Sequence, residues 1–310
     1  MPDFSRVLIT GGCGFIGSNL IDLLRRHAPC EIRVLDNCTS GSERDIAGFN
    51  VELIVGDIAD AAAVAKAVKG VDLVVHLAAD TRVVESISAP QRNFQTNVVG
   101  TFNLLCSMRE LGVSRIVNAS TGGAILGEID PPAHEDIAAA PVSPYGASKL
   151  AAEGYCSAFA GVYGFSATSL RFANVYGPRS YHKGSVVAHF FKQLMAHQEL
   201  VVYGDGTQTR DYVFVEDICD GIMRAMNLAQ SGVFQLGTGT PTSLNELIAL
   251  MQRVVGDDLP VHVRYESFRG GELRRSWCDI TKARRVLNFD PKTSLANGLA
   301  ETWEWFKESR

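Results

Sequence analysis

The stretch Val7-Leu8-Ile9-Thr10-Gly11-Gly12-Cys13-Gly14-Phe15-Ile16-Gly17 decides the fold of this chain. An aliphatic run leads straight into a Gly-x-x-Gly-x-x-Gly segment, and a helix-compatible stretch over 15–27 follows. The pattern predicts a strand, a tight turn and a helix. Gly11 and Gly14 allow the turn and a close approach of backbone to a pyrophosphate, and Gly17 allows close helix packing. The helix N-terminus adds free N–H groups and a positive dipole. Alone, such a turn is also a plain strand-to-helix connection. Its weight comes from Asp36, which ends a second strand over 32–35 about 20 residues further on. A carboxylate there can accept hydrogen bonds from an adenosine ribose and repels a 2′-phosphate, so the expected cofactor is NAD rather than NADP.

Further strands are predicted at 51–55, 73–76, 116–118 and 167–172, separated by helical stretches such as 61–69 and one that starts near Pro144. This alternation implies an α/β fold, a Rossmann-type doubly wound parallel sheet with helices on both faces. Beyond it, Gly177-Pro178, Gly204-Asp205-Gly206 and Gly237-Thr238-Gly239 punctuate the chain, and helical patterns return at 243–255 and 295–307. The reading is a dinucleotide-binding half over 1–175 and a smaller C-terminal, substrate-binding lobe over 176–310, with the chain returning to the sheet near 212–237. Ligands are expected in the cleft outside the carboxyl ends of the strands. Asp57, after the third strand, can meet an adenine, and the small Ala78 and Ala79, after the fourth, leave room for a cofactor.

Composition narrows the partners. The 310 residues are 46% hydrophobic and 20% charged, with a formal net charge of -5 and Lys and Arg scattered along the chain. No basic stripe suits a phosphate backbone, so nucleic acid is not expected. No apolar run reaches the roughly 20 residues that cross a bilayer, and no export signal is read at the N-terminus. The cysteines at 13, 30, 38, 106, 156, 219 and 278 are odd in number, with no close pair in sequence and no His at zinc spacing. They read as reduced, mostly structural thiols of a cytoplasmic protein, and no metal site is expected.

Pro144-Tyr145-Gly146-Ala147-Ser148-Lys149 places a Tyr and a Lys four apart at the start of a helix, both on one face. A nearby ammonium favours phenolate and is expected to lower the tyrosine pKa towards that of an acid/base group at an alcohol carbon. Elsewhere this spacing is an ordinary exposed pair; its force here comes from following strand five of a dinucleotide fold.

With these residues in view, the chain resembles the extended short-chain dehydrogenase/reductase family, and within it the UDP-glucose 4-epimerase group. The matching stretches are 10–17, Asp36-Asn37, 56–58, 76–79, Asn97 with Gly100-Thr101, 145–149, 171–179, 204–206 and 210–212. The resemblance implies an NAD-dependent interconversion at C4 of a UDP-linked hexose through a 4-keto sugar. Tyr145 would exchange the C4 hydroxyl proton, and Lys149 would tune it and hold the nicotinamide ribose. Phe15, Ile16, Asn37, Thr39, Ser40, Gly41, Ile58, Leu77 and Asn97 join the cofactor side. Asn174, Val187, Tyr203, Arg210 and Arg269 join the substrate side, where guanidinium groups suit a diphosphate.

The family pattern has a hydroxyl five residues before a Gly that follows a Tyr; here counting back from Gly127 gives Gly122, and Leu126 stands for the Tyr. The hydroxyl that assists Tyr145 is then Thr121, Ser120 or a water. A related 4,6-dehydratase would need an Asp-Glu pair where Gly122-Gly123 stand. A uronate epimerase or decarboxylase and a non-catalytic NAD sensor are the other readings, the sensor disfavoured by intact Tyr145 and Lys149. The resemblance also places Ser276 at a position that walls the sugar near C2, where serine leaves room for an N-acetyl group. It further implies a homodimer through 93–111 and 146–163, with Phe94, Leu104, Leu105, Met108, Tyr155, Phe159 and Tyr163 as candidate contacts.

Overall fold

In the computed structural model, which describes residues 4–256, 259–268 and 273–309, seven strands form one parallel sheet. They are β1 (Arg6–Thr10), β2 (Glu31–Asp36), β3 (Glu52–Val55), β4 (Leu73–His76), β5 (Arg115–Thr121), β6 (Ser166–Phe172) and a last strand Gly232–Leu236. Their order is β3-β2-β1-β4-β5-β6 and then Gly232–Leu236. The first six match the predicted strands, and the seventh lies inside the predicted return. The order reverses between β1 and β4, which opens a crevice at their carboxyl ends.

Helix α1 (Phe15–His27) follows β1 and α2 (Ala61–Val68) follows β3. The β4-to-β5 crossover holds α3 (Val83–Ser88), α4 (Pro90–Phe94) and α5 (Gly100–Glu110), the last two joined by a π-helical turn at Gln95–Val99. Helix α6 (Pro144–Tyr163) joins β5 to β6. Ser143 starts α6 by accepting the Gly146 N–H at 3.1 Å, Pro144 fills the first helical position, and Gly164 ends it at φ 71°.

Alternation along the strands sends side chains to two cores. Val7, Ile9, Val34 and Val75 pack with α1 and with the helix Val215–Met226, whereas Leu8, Leu35 and Val74 pack with α2, α5 and α6. A third core belongs to the lobe: Phe190, Phe191, Leu247, Met251, Trp303 and Phe306, from helices Val186–Met195, Leu244–Val255 and Leu295–Glu308. Asp211 ties the turn at Thr238-Gly239 to Cys278. Its Oδ1 accepts the Thr238 N–H (2.8 Å) and hydroxyl (2.7 Å), and its Oδ2 accepts the Gly239 N–H (3.0 Å) and the Cys278 thiol (3.2 Å). Among the described residues, no helix is long and apolar enough to cross a membrane.

Candidate active site

The glycine turn is shaped by lack of side chains. A Cβ on Gly11, at φ 73°, would stand 2.7 Å from the Ala78 nitrogen, so Gly11 lets β1 and β4 close on each other. A Cβ on Gly14 would meet only Gly11 O, at 3.2 Å, and otherwise face open space, leaving a cradle for a ligand at the start of α1. Gly41 has a packing reason: its Cβ would fall 1.9 Å from Cys13 O, so the Thr39-Ser40-Gly41 loop lies directly on the turn.

Asp36, almost fully buried, accepts the Cys13 N–H on Oδ2 (2.9 Å) and the Cys38 N–H on Oδ1 (2.8 Å). Burial raises its pKa against those two bonds. Each oxygen keeps acceptor capacity for a further donor, as two ribose hydroxyls require. Asn37 donates to Asp57 Oδ2 at 2.8 Å, and together they line the rim beyond Asp36. Ile58 is buried in the α2 side of the core and Phe15, Ile16, Leu77, Ala78 and Ala79 are half-buried along the crevice. These features fit NAD.

Beneath the crevice lies a buried polar chain. The Thr101 hydroxyl donates to Asn97 O (2.6 Å), so it accepts from His76 Nε2 (2.9 Å), and His76 Nδ1 then accepts from Thr10 (2.7 Å). Burial, and secondarily the Lys149 charge, push His76 down to about 3, so the ring is neutral. Thr10 Oγ1 also accepts the Ala78 N–H at 3.2 Å. In the π-helical turn, Asn97 bonds both backbone groups of Asp80 (2.8 and 2.9 Å) and donates to Ser148 Oγ (2.9 Å). The motif stretches named Asn97 and His76 without showing that they knit β1, β4 and α6 together.

Tyr145 stands at the start of α6, where its N–H donates to Ser86 Oγ at 3.2 Å. The Thr121 side chain acts on the phenol and favours its ionised form. Ser120 is buried, and its Oγ has no hydrogen-bond partner among the described residues. Of the two hydroxyls, Thr121 is the one that acts on the Tyr145 phenol. In place of the expected lowering, burial pushes the phenol pKa up to about 12; the Thr121 side chain opposes this and the Asp80 charge adds to it. Enclosure disfavours the phenolate. Lys149 Nζ donates to Ala119 O at 2.9 Å, and burial lowers its pKa to about 8 while Glu153 opposes. Glu153 in turn holds Arg171 by two bonds of 2.9 and 2.8 Å inside the protein.

Across the crevice, strand Thr209–Arg210 runs between Thr242–Ser243 and Arg275–Ser276, with Ser276 in register beside Arg210. Ser276 Oγ lies 3.5 Å from where a Cβ on Gly123 would sit. The loop after Thr121 thus faces Ser276 with no side chain between them. Arg210 is half-buried and Asn174 exposed, their strands joined by Asn174 N–H to Asp211 O at 2.9 Å. Tyr203 is half-buried at the end of strand Leu200–Tyr203. Val187 needs correction as a side-chain contact: at 1% exposure it packs in the lobe core, which leaves only its backbone for a ligand. Arg269 lies outside the described residues.

A doubly wound sheet with a glycine turn, a strand-end carboxylate and a Thr-Tyr-Lys cluster beside the crevice defines an NAD-binding protein of the extended short-chain dehydrogenase/reductase type. The chain belongs to the NAD dependent epimerase/dehydratase family, whose model matches residues 7–237. It is 37% identical to a UDP-glucose 4-epimerase of Mycolicibacterium smegmatis over 97% of this chain and 98% of that one. The structure of a UDP-glucose 4-epimerase from Thermotoga maritima with UDP-glucose superposes with a TM-score of 0.92 at 37% identity, covering 98% and 99% of the two chains. A UDP-N-acetylglucosamine 4-epimerase from Methanobrevibacter ruminantium, in complex with UDP-N-acetylmuramic acid, gives 0.93 at 30% identity over 100% of both.

Proposed function

We propose that this chain is a 4-epimerase of UDP-linked hexoses, with 1–175 and the returning segment as its cofactor half and most of 176–310 as its substrate half. The observation that carries this reading is the placement of Thr121 where it acts on the Tyr145 phenol, followed by Gly122-Gly123 rather than an acid pair. Elimination across C5 and C6 needs an acid and a base after Thr121; two glycines supply neither.

NAD, when bound, supplies a hydride acceptor that later returns the hydride to the other face of C4, and a positive charge that favours phenolate. The glycine turn at 11–17 would hold its pyrophosphate and Asp36 its adenosine ribose, with Asn37 and Asp57 at the adenine. Tyr145 takes the O4 proton as the C4 alcohol becomes a ketone, and returns it as the inverted alcohol forms. Thr121 positions O4 and donates to the phenolate. Lys149, whose Nζ donates to Ala119 O, would hold the nicotinamide ribose. Arg210, Arg269 and Asn174 grip the diphosphate and sugar, with Tyr203 and the Val187 backbone towards the base. The same reading includes a cytoplasmic setting and a homodimer. The test is to incubate the protein with a panel of UDP-sugars and resolve products by NMR. Inversion at C4 without net cofactor reduction is expected; a dehydrated or decarboxylated product overturns the reading.

A further inference from the structure

Two cysteines that are 25 positions apart in sequence meet at one carboxylate. Cys13 and Cys38 each give their backbone N–H to Asp36, at 2.9 and 2.8 Å and on different oxygens, so their backbones flank that group. The two Sγ atoms and a carboxylate oxygen all lie within 4.8 Å of one another. Cys13 is 1% exposed, whereas Cys38 is half-buried, at the rim of the crevice. The side-chain charges that act on the pair are all negative: Asp36 and Asp45 on Cys13, joined by Glu43 on Cys38.

We propose that Cys13, Asp36 and Cys38 form a binding site for a soft divalent cation such as Zn²⁺, and that this ion and NAD exclude each other. Two sulfurs and a carboxylate oxygen are a zinc ligand set, with bonds of about 2.3 Å to sulfur and about 2.0–2.2 Å to oxygen. At such bond lengths neighbouring ligand atoms in a tetrahedron stand roughly 3.5 Å apart, so the three donors need only a small inward shift. A water completes the fourth position. Binding converts both thiols to thiolates, so each ion taken up releases two protons to solvent. The surrounding acids, which disfavour thiolates when no ion is present, then act on a cationic centre and favour it. Exclusion follows from acceptor counting. Each Asp36 oxygen already holds one amide, and a metal–carboxylate bond takes capacity that the ribose hydroxyls need. This half of the proposal rests on the reading that places NAD over Asp36.

The experiment uses the purified chain under a phosphine reductant, with and without NAD, and Cd²⁺ as a spectroscopic stand-in for Zn²⁺. Expected are a thiolate-to-Cd²⁺ charge-transfer band, one Zn²⁺ retained per NAD-free chain, and about two protons released per ion. Saturating NAD should weaken the ion at least tenfold, and Zn²⁺ added to NAD-loaded protein should hasten NAD release. Cys13→Ala and Cys38→Ala should each abolish the band while their circular dichroism spectra match wild type; the other five cysteines serve as the internal control. A wild type that retains no ion, or a double variant that keeps the band, overturns the site. An ion that binds without affecting NAD overturns the exclusion. If Asp36→Ala leaves NAD affinity intact, the fault lies with the cofactor placement and not with the metal site.

Discussion

Tyr145 and Thr121 carry the most specific expectation at the scale of single residues. Because burial holds the phenol near 12, proton exchange at O4 depends on groups that favour phenolate, and Thr121 is one while Ser120 is not. Tyr145→Phe should keep NAD yet lose on the order of 10²-fold or more in kcat. Thr121→Ala should lose roughly tenfold or more and move the alkaline limb of the kcat profile, whereas Ser120→Ala should change kcat less than about threefold. Steady-state kinetics on the three variants decide this; equal losses for Thr121→Ala and Ser120→Ala would remove Thr121 from its role. Ser276 bears on substrate size. Its neighbour across the crevice is Gly123, so space is left on both sides of the pocket wall. Turnover of UDP-GlcNAc and UDP-GalNAc alongside the smaller UDP-hexoses is expected of wild type. Ser276→Tyr should suppress the N-acetylated pair and spare the others. Competition assays with paired substrates show the split, and equal loss on both classes would free Ser276 of that part.

Among elements, strand ends were the most legible feature and the buried links between them the least. Gly-x-x-Gly-x-x-Gly and the acid after the second strand have local physical causes, a positive φ at Gly11 and a close approach at Gly17, and local causes leave local patterns. The proximity of Cys13 to Cys38, the Asp211 junction and the π-helical turn around Asn97 arise only once the crossovers bring distant segments together. No spacing rule reaches them. His76 is the sharpest case, because its neutral ring ties β1, β4 and α5 through Thr10 and Thr101. Its folded pKa, about 3, lies below the ordinary value of 6.5, so between those values the unfolded chain binds the extra proton. Stability should therefore fall as pH drops through this window, by a total on the order of a few kcal/mol. His76→Gln should be less stable at pH 7 by about 1–3 kcal/mol through imperfect hydrogen bonding, yet lose less between pH 6.5 and 4.5. Urea melts at several pH values test this; parallel curves for variant and wild type would show that His76 does not govern the acid limb.

For the whole molecule, the question is what covers the outer face of α4, α5 and α6. Of the seven apolar residues that the sequence offers there, Leu104, Leu105 and Met108 are fully buried against the sheet, and Phe159 is 6% exposed. Phe94, Tyr155 and Tyr163 point outward at 53%, 40% and 47% exposure. Phe102 and Val162, at 41% and 73%, extend the strip. Helical periodicity marks apolar residues without saying which stripe meets the sheet, and so it could not sort the two groups. The outward aromatics are already ordered: Phe102 meets Tyr155 edge-on at 5.3 Å, Phe159 meets Tyr163 at 4.9 Å, and Arg109 lies over the Tyr163 ring at 5.1 Å. Preformed aromatic contacts lose little entropy on association, and a self-complementary patch on two parallel helices suits a two-fold four-helix bundle. A homodimer burying roughly 800 Å² per partner is therefore expected. Each central aromatic replaced by a charge should cost about 2 kcal/mol or more of association energy. Phe102→Glu with Tyr155→Glu should then give a monomer at micromolar concentration by light scattering, with the sheet intact by circular dichroism. Since Tyr145 and Lys149 begin the same α6 whose far end carries Tyr155 and Tyr163, the monomer should also lose activity, mainly in kcat. A wild type that scatters as a monomer at micromolar concentration would leave this face without a partner copy and sink the dimer.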